Sequence, residues 1–292
     1  MTILHMSSSF LNSPIFQCSN PDFELRSIPD DTVFPVSRTA LMNSEVFRDM
    51  FASCDPEASG GDAGEDLALH ESSGELATLL RLLHNPPAPP VELPPEDKFH
   101  IVRYDPATIL PFPLLLSVFF RLADKYAVVE SIASVLRLHL VANAPANGLE
   151  VYSFASRHDM DWEANAASQY VLPMASYRFE EIKIIPGVVA YHKLVRLQDF
   201  RVKALRELLL GEDIFPHGYG ECTSHREKTT ASWDRQRKAL MGRIESVTDI
   251  AGEMDALTET FRDCKTCLKA CTAAVDMLAE TVRVITEIRV SD

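Results

Sequence analysis

The chain has 292 residues, of which 46% are hydrophobic, enough for one large globular domain or two smaller ones. Its 42 acidic residues outnumber its 28 Lys and Arg, giving a net charge of −14, which excludes nucleic acid and anionic membranes as expected partners because both are bound through cations. The N-terminus has no secretory pattern, and the strongest apolar run, 109–120, is far shorter than the ~20 residues that cross a bilayer. We therefore expect a cytoplasmic or nuclear protein, not secreted, with reduced cysteines.

The first elements predict an α+β unit. After a Ser-rich tail over residues 1–19, a turn at Pro29-Asp30-Asp31 separates two short strand patterns and predicts a hairpin. Helical spacing follows from Leu41 to Phe51, with Ser44 at the position of an N-cap. The small acidic stretch 52–66 indicates a loop, and residues 66–69 alternate as a short strand does.

A capping box and one pair of prolines, Pro86 and Pro87, delimit the next helix. Ser72 and Glu75 have capping-box spacing, so a helix is predicted from Ser73 that ends by Asn85, before Pro86. The Pro-rich segment 86–113 is expected to form no regular core element, although residues 99–104 fit a short edge strand.

Helices dominate the middle of the chain. Residues 114–142 predict two apolar helices that break near Ala127-Val128. A helical extension is predicted over 146–213, with Pro173 and Pro186 separating its pieces and a longer helix from Val188 to Leu210.

The C-terminal part predicts a linker at 214–235 and then one long amphipathic helix at 236–292. Glycines around Pro216 indicate the linker. Beyond it, apolar residues recur at spacings of three and four, which is typical of a coiled-coil seam that pairs with another chain or with the chain's own extension. The seam contains Leu257, Phe261, Cys264, Leu268, Cys271, Val275, Leu278, Val282 and Ile285.

Two stretches of the chain resemble the BTB/POZ family. The first, over residues 22–51, matches the family's opening pattern, and the second, Leu122-Ala123-Asp124-Lys125-Tyr126-Ala127-Val128, is similar to its later "L-A-x-K-Y-x-V" helix. Ser37 stands where the family usually has His, so one buried polar contact is expected to be rearranged. The matching residues of the first stretch are Asp22, Leu25, Phe34, Val36, Arg38, Leu41, Ser44, Phe47, Arg48, Met50 and Phe51.

The resemblance implies a BTB/POZ-like domain at 20–145, a small sheet covered by a helical cluster, followed by a helical extension like those of fungal BTB proteins. It also implies a protein-interaction module that self-associates and that acts as a substrate adaptor on a cullin-type ubiquitin ligase. A scaffold that only oligomerises is the alternative. Protein partners and a homo-oligomer are therefore the expected assembly.

The chain carries no pattern that predicts an enzyme. Its glycines form no phosphate-binding or nucleophile-elbow motif. His158 lies beside Asp159 and Asp161 but has no candidate nucleophile nearby, which favours a surface histidine. We predict no catalytic residue and no bound cofactor.

One arrangement has the spacing of a zinc site. Cys222-x-x-His225 and Cys264-x-x-Cys267 are two ligand pairs, each separated by two residues. Against it, Cys264 falls on the apolar seam, the second pair lies within the predicted long helix, and about forty residues separate the pairs, more than in common fingers. We therefore predict no metal ligand and plain packing of these cysteines, with a zinc-binding protein as the alternative.

Overall fold

The computed structural model describes residues 16–53, 67–94, 102–216 and 220–287. Within these ranges the chain forms two compact units. The first comprises the described residues up to Glu92 together with Tyr104–Asn143, and the second those of Leu93–Arg103 together with those from Ala144 onward. The architecture is mixed α+β, as predicted, with a small sheet in the first unit and helices in both.

The sheet of the first unit has the strand order β2-β1-β3. Strand β1, Phe23–Ser27, pairs antiparallel with β2, Thr32–Val36, and parallel with β3, Leu67–Leu69. Alternate residues of the hairpin are buried, among them Leu25 and its cross-strand partner Phe34. The predicted hairpin and short third strand are therefore confirmed.

Helices cover this sheet. Those in the described residues of the first unit are α1 Arg38–Leu41, α2 Glu45–Ser53, α3 Ser73–His84, α4 Phe112–Leu114, α5 Arg121–Lys125 and α6 Glu130–Ala142. Helix α3 begins at the predicted capping box, where the Glu75 N–H and the Ser72 hydroxyl oxygen are 3.4 Å apart, and it buries its leucine face. A wide helical turn, Leu115–Phe120, joins α4 to α5. The predicted break between two apolar helices is confirmed, because Ala127 adopts a positive φ of 43° between α5 and α6.

The start of α2 is joined to the end of α5 by two hydrogen bonds, of which the one from Ser44 is buried. The Ser44 hydroxyl donates a hydrogen bond to the Tyr126 carbonyl oxygen (2.5 Å), and the Glu45 N–H donates to the Ala127 carbonyl oxygen (2.9 Å). The Phe47 ring stacks on the Tyr126 ring with centroids 5.4 Å apart. Ser44 also accepts from the Phe47 N–H at 3.3 Å, which confirms its predicted capping role.

Two expectations for the first unit need correction. Phe16, predicted to lie in a tail, is buried with its ring 4.9 Å from that of His84, while residues 1–15 of that tail lie outside the described residues. The predicted edge strand at 99–104 reduces to a single bridge between Tyr104 and Glu92, with residues 99–101 outside the described part. Ser37, at the family's histidine position, donates its N–H to the His84 ring at 3.0 Å.

The described regular elements of the second unit are all helices. They are α7 Ala144–Arg157, α8 Asp161–Ser168, α9 Phe179–Ile182, α10 Gly187–Gly211, α11 Arg226–Met241, α12 Ile250–Thr260 and α13 Lys265–Glu287. The predicted interruptions at Pro173 and Pro186 are confirmed, and so is the predicted long helix, which is α10. A short 3₁₀ turn, Met174–Ser176, follows α8, and α7 is kinked at Asn147.

The predicted single helix over 236–292 is wrong, and so is the predicted linker at 214–235. Among residues 214–216 and 220–287, which the structure describes, the chain forms three helices, α11 to α13. Asp249 opens α12 by accepting a hydrogen bond from the Gly252 N–H at 2.9 Å, so a local cap starts a new helix where the apolar spacing continues. Within the supposed linker, Ile214 and Phe215 are buried.

The apolar seam is buried inside the chain's own second unit. Residues from α10 through α13 form one core, which includes Leu209, Trp233, Met254, Val275 and Leu278. The sequence predicts that the seam pairs either with another chain or with the chain's own helical extension. In the structure it packs against the chain's own helices, including α10 of the extension. Among the described residues, no helix combines the length and the apolar character needed to cross a membrane.

Replacing Ser44 with Ala tests the joint between α2 and α5. We expect the free energy of unfolding to fall by about 1–3 kcal/mol, because the buried Tyr126 carbonyl loses its hydroxyl donor. Urea unfolding measures this. Ser53→Ala is the matched control, since Ser53 lies at the exposed end of the same helix and is expected to change little. An equal loss in the free energy of unfolding for the two variants would contradict the role of the Ser44 hydroxyl in joining α2 to α5.

Replacing Leu278 with Ala tests the internal seam. Leu278 is fully buried, so we expect a loss of about 2–5 kcal/mol in the free energy of unfolding, whereas the half-exposed neighbour Met277→Ala is expected to cost far less. Light scattering of both variants is expected to give the wild-type mass. A smaller mass for Leu278→Ala alone would show that the seam joins separate chains.

Candidate functional site

Four metal-ligating side chains converge in the second unit. Cys222 and His225 immediately precede α11, Cys264 immediately precedes α13, and Cys267 lies in the first turn of α13. One ligand atom from each of the four lies within 4.8 Å of those of the others. The helical segments thus bring together two pairs that are distant in sequence.

Local backbone geometry explains why each pair points in one direction. The Cys222 carbonyl oxygen accepts hydrogen bonds from the N–H groups of His225 (3.1 Å) and Arg226 (2.9 Å), which forms a turn leading into α11. The Cys264 carbonyl oxygen accepts from the Leu268 N–H at 2.9 Å. Side chains three residues apart share one face of such a turn. Because Cys264 precedes its helix, the expectation that the second pair lies mid-helix is wrong.

The distances between ligand atoms are short. The Cys222 Sγ lies 3.7 Å from the Cys264 Sγ and 3.5 Å from the His225 Nδ1. The Thr229 hydroxyl donates a hydrogen bond to the Cys267 Sγ at 3.3 Å, and Thr229 is buried. Cys267 is buried, Cys222 and Cys264 are half-buried, and His225 is exposed. The cluster therefore lies at the edge of the core, open to solvent on the histidine side.

The electrostatic surroundings favour a thiolate at Cys264. A hydrogen bond from the Cys267 backbone N–H, followed by that with the His225 ring, lowers the pKa of the Cys264 thiol to about 6. A helix N-terminus favours an anion in the same way. Burial raises the pKa of the Cys267 thiol. Such a set can hold a metal ion with three sulfur ligands and one nitrogen.

The remaining cysteines lie elsewhere. Cys271, one turn along α13 from Cys267, is fully buried in the core, and burial raises the pKa of its thiol to about 12. Cys18 is half-buried against the core of the first unit, and Cys54 is outside the described residues. His158, the other histidine that the sequence singled out, is exposed at the end of α7 with its ring 4.3 Å from Phe154.

Sequence reasoning missed an ion pair in the first unit between the buried carboxylate of Glu71 and the half-exposed ammonium of Lys125. The Glu71 carboxylate accepts hydrogen bonds from the Lys125 ammonium and from the Tyr126 hydroxyl (2.5 Å), and its side chain is only 3% exposed. The Glu71 backbone carbonyl accepts from the Ser27 hydroxyl at 2.8 Å. These contacts connect β1 and the segment after β3 to the end of α5. Because the carboxylate is covered by these partners, its role is structural.

The ion pair explains two shifted pKa values. Burial raises the pKa of Glu71, but the hydrogen bonds from Lys125 and Tyr126 outweigh it and hold the pKa below its usual range. Burial, together with the adjoining carboxylate, raises the pKa of Tyr126. The sequence signal for this contact was weak, since Glu71 and Tyr126 are far apart in the chain.

No protein-family model, curated protein or solved structure matches this chain. The resemblance to the BTB/POZ family therefore rests on the residues of its two stretches alone.

Replacing Glu71 with Gln tests the ion pair through pH. Because the folded-state pKa of Glu71 lies below the usual value of 4.5, the carboxylate stabilises the fold above that value and its contribution is lost as the pH falls through the folded pKa. We expect Glu71→Gln to lower the free energy of unfolding at neutral pH by about 1–3 kcal/mol, with the difference shrinking in acid. Urea unfolding of both proteins from neutral pH into acid measures this difference in the free energy of unfolding.

Glu259→Gln is the control for that experiment, because Glu259 forms an exposed pair with Arg262 on the surface of α12. We expect almost no change from it at any pH. A gap between Glu71→Gln and wild type that stays constant into acid would contradict the assigned role of the carboxylate.

Proposed function

We propose that the chain is a protein-interaction protein of BTB/POZ type that associates with a second copy of itself through its first unit. One observation carries the proposal. The two stretches that resemble the family, 22–51 and 122–128, pack directly on each other, with the Ser44 hydroxyl bonded to the Tyr126 carbonyl and the Phe47 ring on the Tyr126 ring. Two separate matches that form one core are what a single structural module requires.

The order of elements in the first unit gives further support. A hairpin leads into short helices, a third strand joins the same sheet, and a leucine-rich helix follows. A small sheet accompanied by helices agrees with the resemblance at the level of fold class, α+β. The unit's buried carboxylate, Glu71, is used in packing against Lys125 and Tyr126.

Exposed apolar side chains on the α1–α2 segment supply a surface for self-association. Met42 follows α1 and is 39% exposed, and Val46 lies in the first turn of α2 and is 43% exposed. We call these two residues the Met42–Val46 face. In a two-fold symmetric dimer the same face of each copy contributes to the contact, so even a small apolar face is used twice.

Light scattering of the full chain tests self-association. We expect a mass about twice the 32.6 kDa of one chain, and we expect the double variant Met42→Glu, Val46→Glu to lower it to that of one chain, because four buried carboxylates repel across a symmetric contact. Both positions are exposed, so folding of the variant is expected to change little.

The double variant Val188→Glu, Val189→Glu is the matched control. Val188 and Val189 are more exposed than Met42 and Val46, but they lie in the second unit. This variant is therefore expected to keep the wild-type mass. A wild-type chain that is monomeric at micromolar concentration would overturn the proposal. So would a control variant that dissociates while the first variant does not.

Co-purification tests the adaptor role that the resemblance implies. Recovery of a cullin-type scaffold with the full chain would extend the proposed function to substrate recruitment for ubiquitin transfer. Recovery of the chain alone, as an oligomer, would restrict the function to that of a scaffold.

A further inference from the structure

We propose that Cys222, His225, Cys264 and Cys267 bind one structural Zn²⁺ ion in the second unit. This inference is independent of the function proposed for the first unit. It rests on the convergence of three sulfur atoms and one ring nitrogen, all within 4.8 Å of one another, at the N-terminal ends of α11 and α13. Three thiolates with one imidazole is a ligand set typical of structural zinc.

The distances fit the edges of a zinc tetrahedron. With Zn–S near 2.3 Å and Zn–N near 2.05 Å, tetrahedral geometry requires about 3.8 Å between two sulfurs and about 3.6 Å between sulfur and nitrogen. The structure has 3.7 Å between the sulfurs of Cys222 and Cys264 and 3.5 Å between the Cys222 sulfur and the His225 Nδ1. These two of the six edges agree with one ion at the centre, and the other four are no longer than 4.8 Å.

Plain packing accounts for this arrangement less well. Cys271 shows what a packed cysteine looks like in this unit, because it is fully buried among apolar residues. Cys222 and Cys264 are only half-buried, and both face the imidazole of an exposed histidine. An apolar core gains nothing from an imidazole at its edge, whereas a metal site uses one as a ligand.

The site would be closed and structural. Four protein ligands fill the tetrahedron and leave no open position for water or substrate, so the ion would hold the fold and carry out no reaction. The buried Thr229 hydroxyl donates to the Cys267 sulfur and fixes its orientation, as an outer-shell partner does.

The packing of α11 shows what the ion would stabilise. Along this helix only Thr229, Trp233 and Leu240 are buried, so its first turn has little apolar support. A zinc ion bound by Cys222 and His225, just before that turn, and by Cys264 and Cys267 would connect the start of α11 to the start of α13. Metal affinity would then contribute directly to the stability of the second unit.

Elemental analysis of the full chain, purified under reducing conditions and dialysed after incubation with zinc chloride, tests the proposal. We expect about one zinc per chain, and the same amount in Cys271→Ala, which removes a thiol from the same helix outside the four ligands. Cys264→Ser is expected to retain far less. Removing zinc with a chelator is expected to lower the melting temperature of wild type by several degrees and to leave that of Cys264→Ser nearly unchanged.

Cobalt exchange gives a readout that needs no variant to fold. Co²⁺ added to the metal-free wild type is expected to produce the visible absorption of tetrahedral cobalt with thiolate ligands, and added Zn²⁺ is expected to abolish it. Less than half a zinc per chain, iron in place of zinc, equal zinc in Cys264→Ser, or a Cys222–Cys264 disulfide in the freshly reduced protein would each overturn the proposal. Light scattering on the same samples reports self-association separately, so failure here is distinguishable from failure of the proposed function.

Discussion

The first unit depends on satisfying the carbonyl groups of Tyr126 and Ala127, where α5 ends. A helix that stops inside a protein leaves its last carbonyl oxygens without partners, and an unpaired buried carbonyl costs about as much as a lost hydrogen bond. Here the Ser44 hydroxyl and the Glu45 N–H reach the carbonyls of Tyr126 and Ala127. The start of α2 and the end of α5 must therefore fold together, and the Phe47–Tyr126 stack closes over the same joint. The Tyr126 hydroxyl donates a hydrogen bond to the Glu71 carboxylate.

In the second unit the dominant constraint is an apolar seam that has to be covered. The chain covers it by turning back on itself at two places, after Met241 and after Thr260, so that α10 to α13 share one core. The second turn places Cys264 just before α13, so this residue of the seam contacts the Cys222 thiol as well as the core. One interruption thus serves both packing and the placement of ligands.

Short-range signals predicted most of the elements. The hairpin turn, the Ser72 capping box and the breaks at Pro173 and Pro186 each act within a few residues, and the structure confirms them. The sequence does not predict the ends of α11 and α12. Apolar residues continue at spacings of three and four through Ala251 and Phe261, and this spacing is the same whether one helix continues or the chain turns back into a second helix. The pairing of Glu71 with Lys125 and the burial of Phe16 depend on contacts between distant residues, which no local pattern reports. For the Cys and His cluster, spacing suggested the ligands, but the erroneous long helix argued against them.

The tryptophans give the two units different optical properties. The chain has only two, Trp162 and Trp233, and both belong to the second unit, while residues assigned to the first contain tyrosine but no tryptophan. Trp233 is buried on α11 with its indole N–H bonded to the Glu212 carbonyl oxygen at 3.1 Å, whereas Trp162 is 45% exposed. Emission excited at the red edge of the absorption band therefore arises from the second unit alone. Tryptophan emission can therefore report the unfolding of the second unit, or the binding of the proposed zinc ion, in the intact chain without an added label.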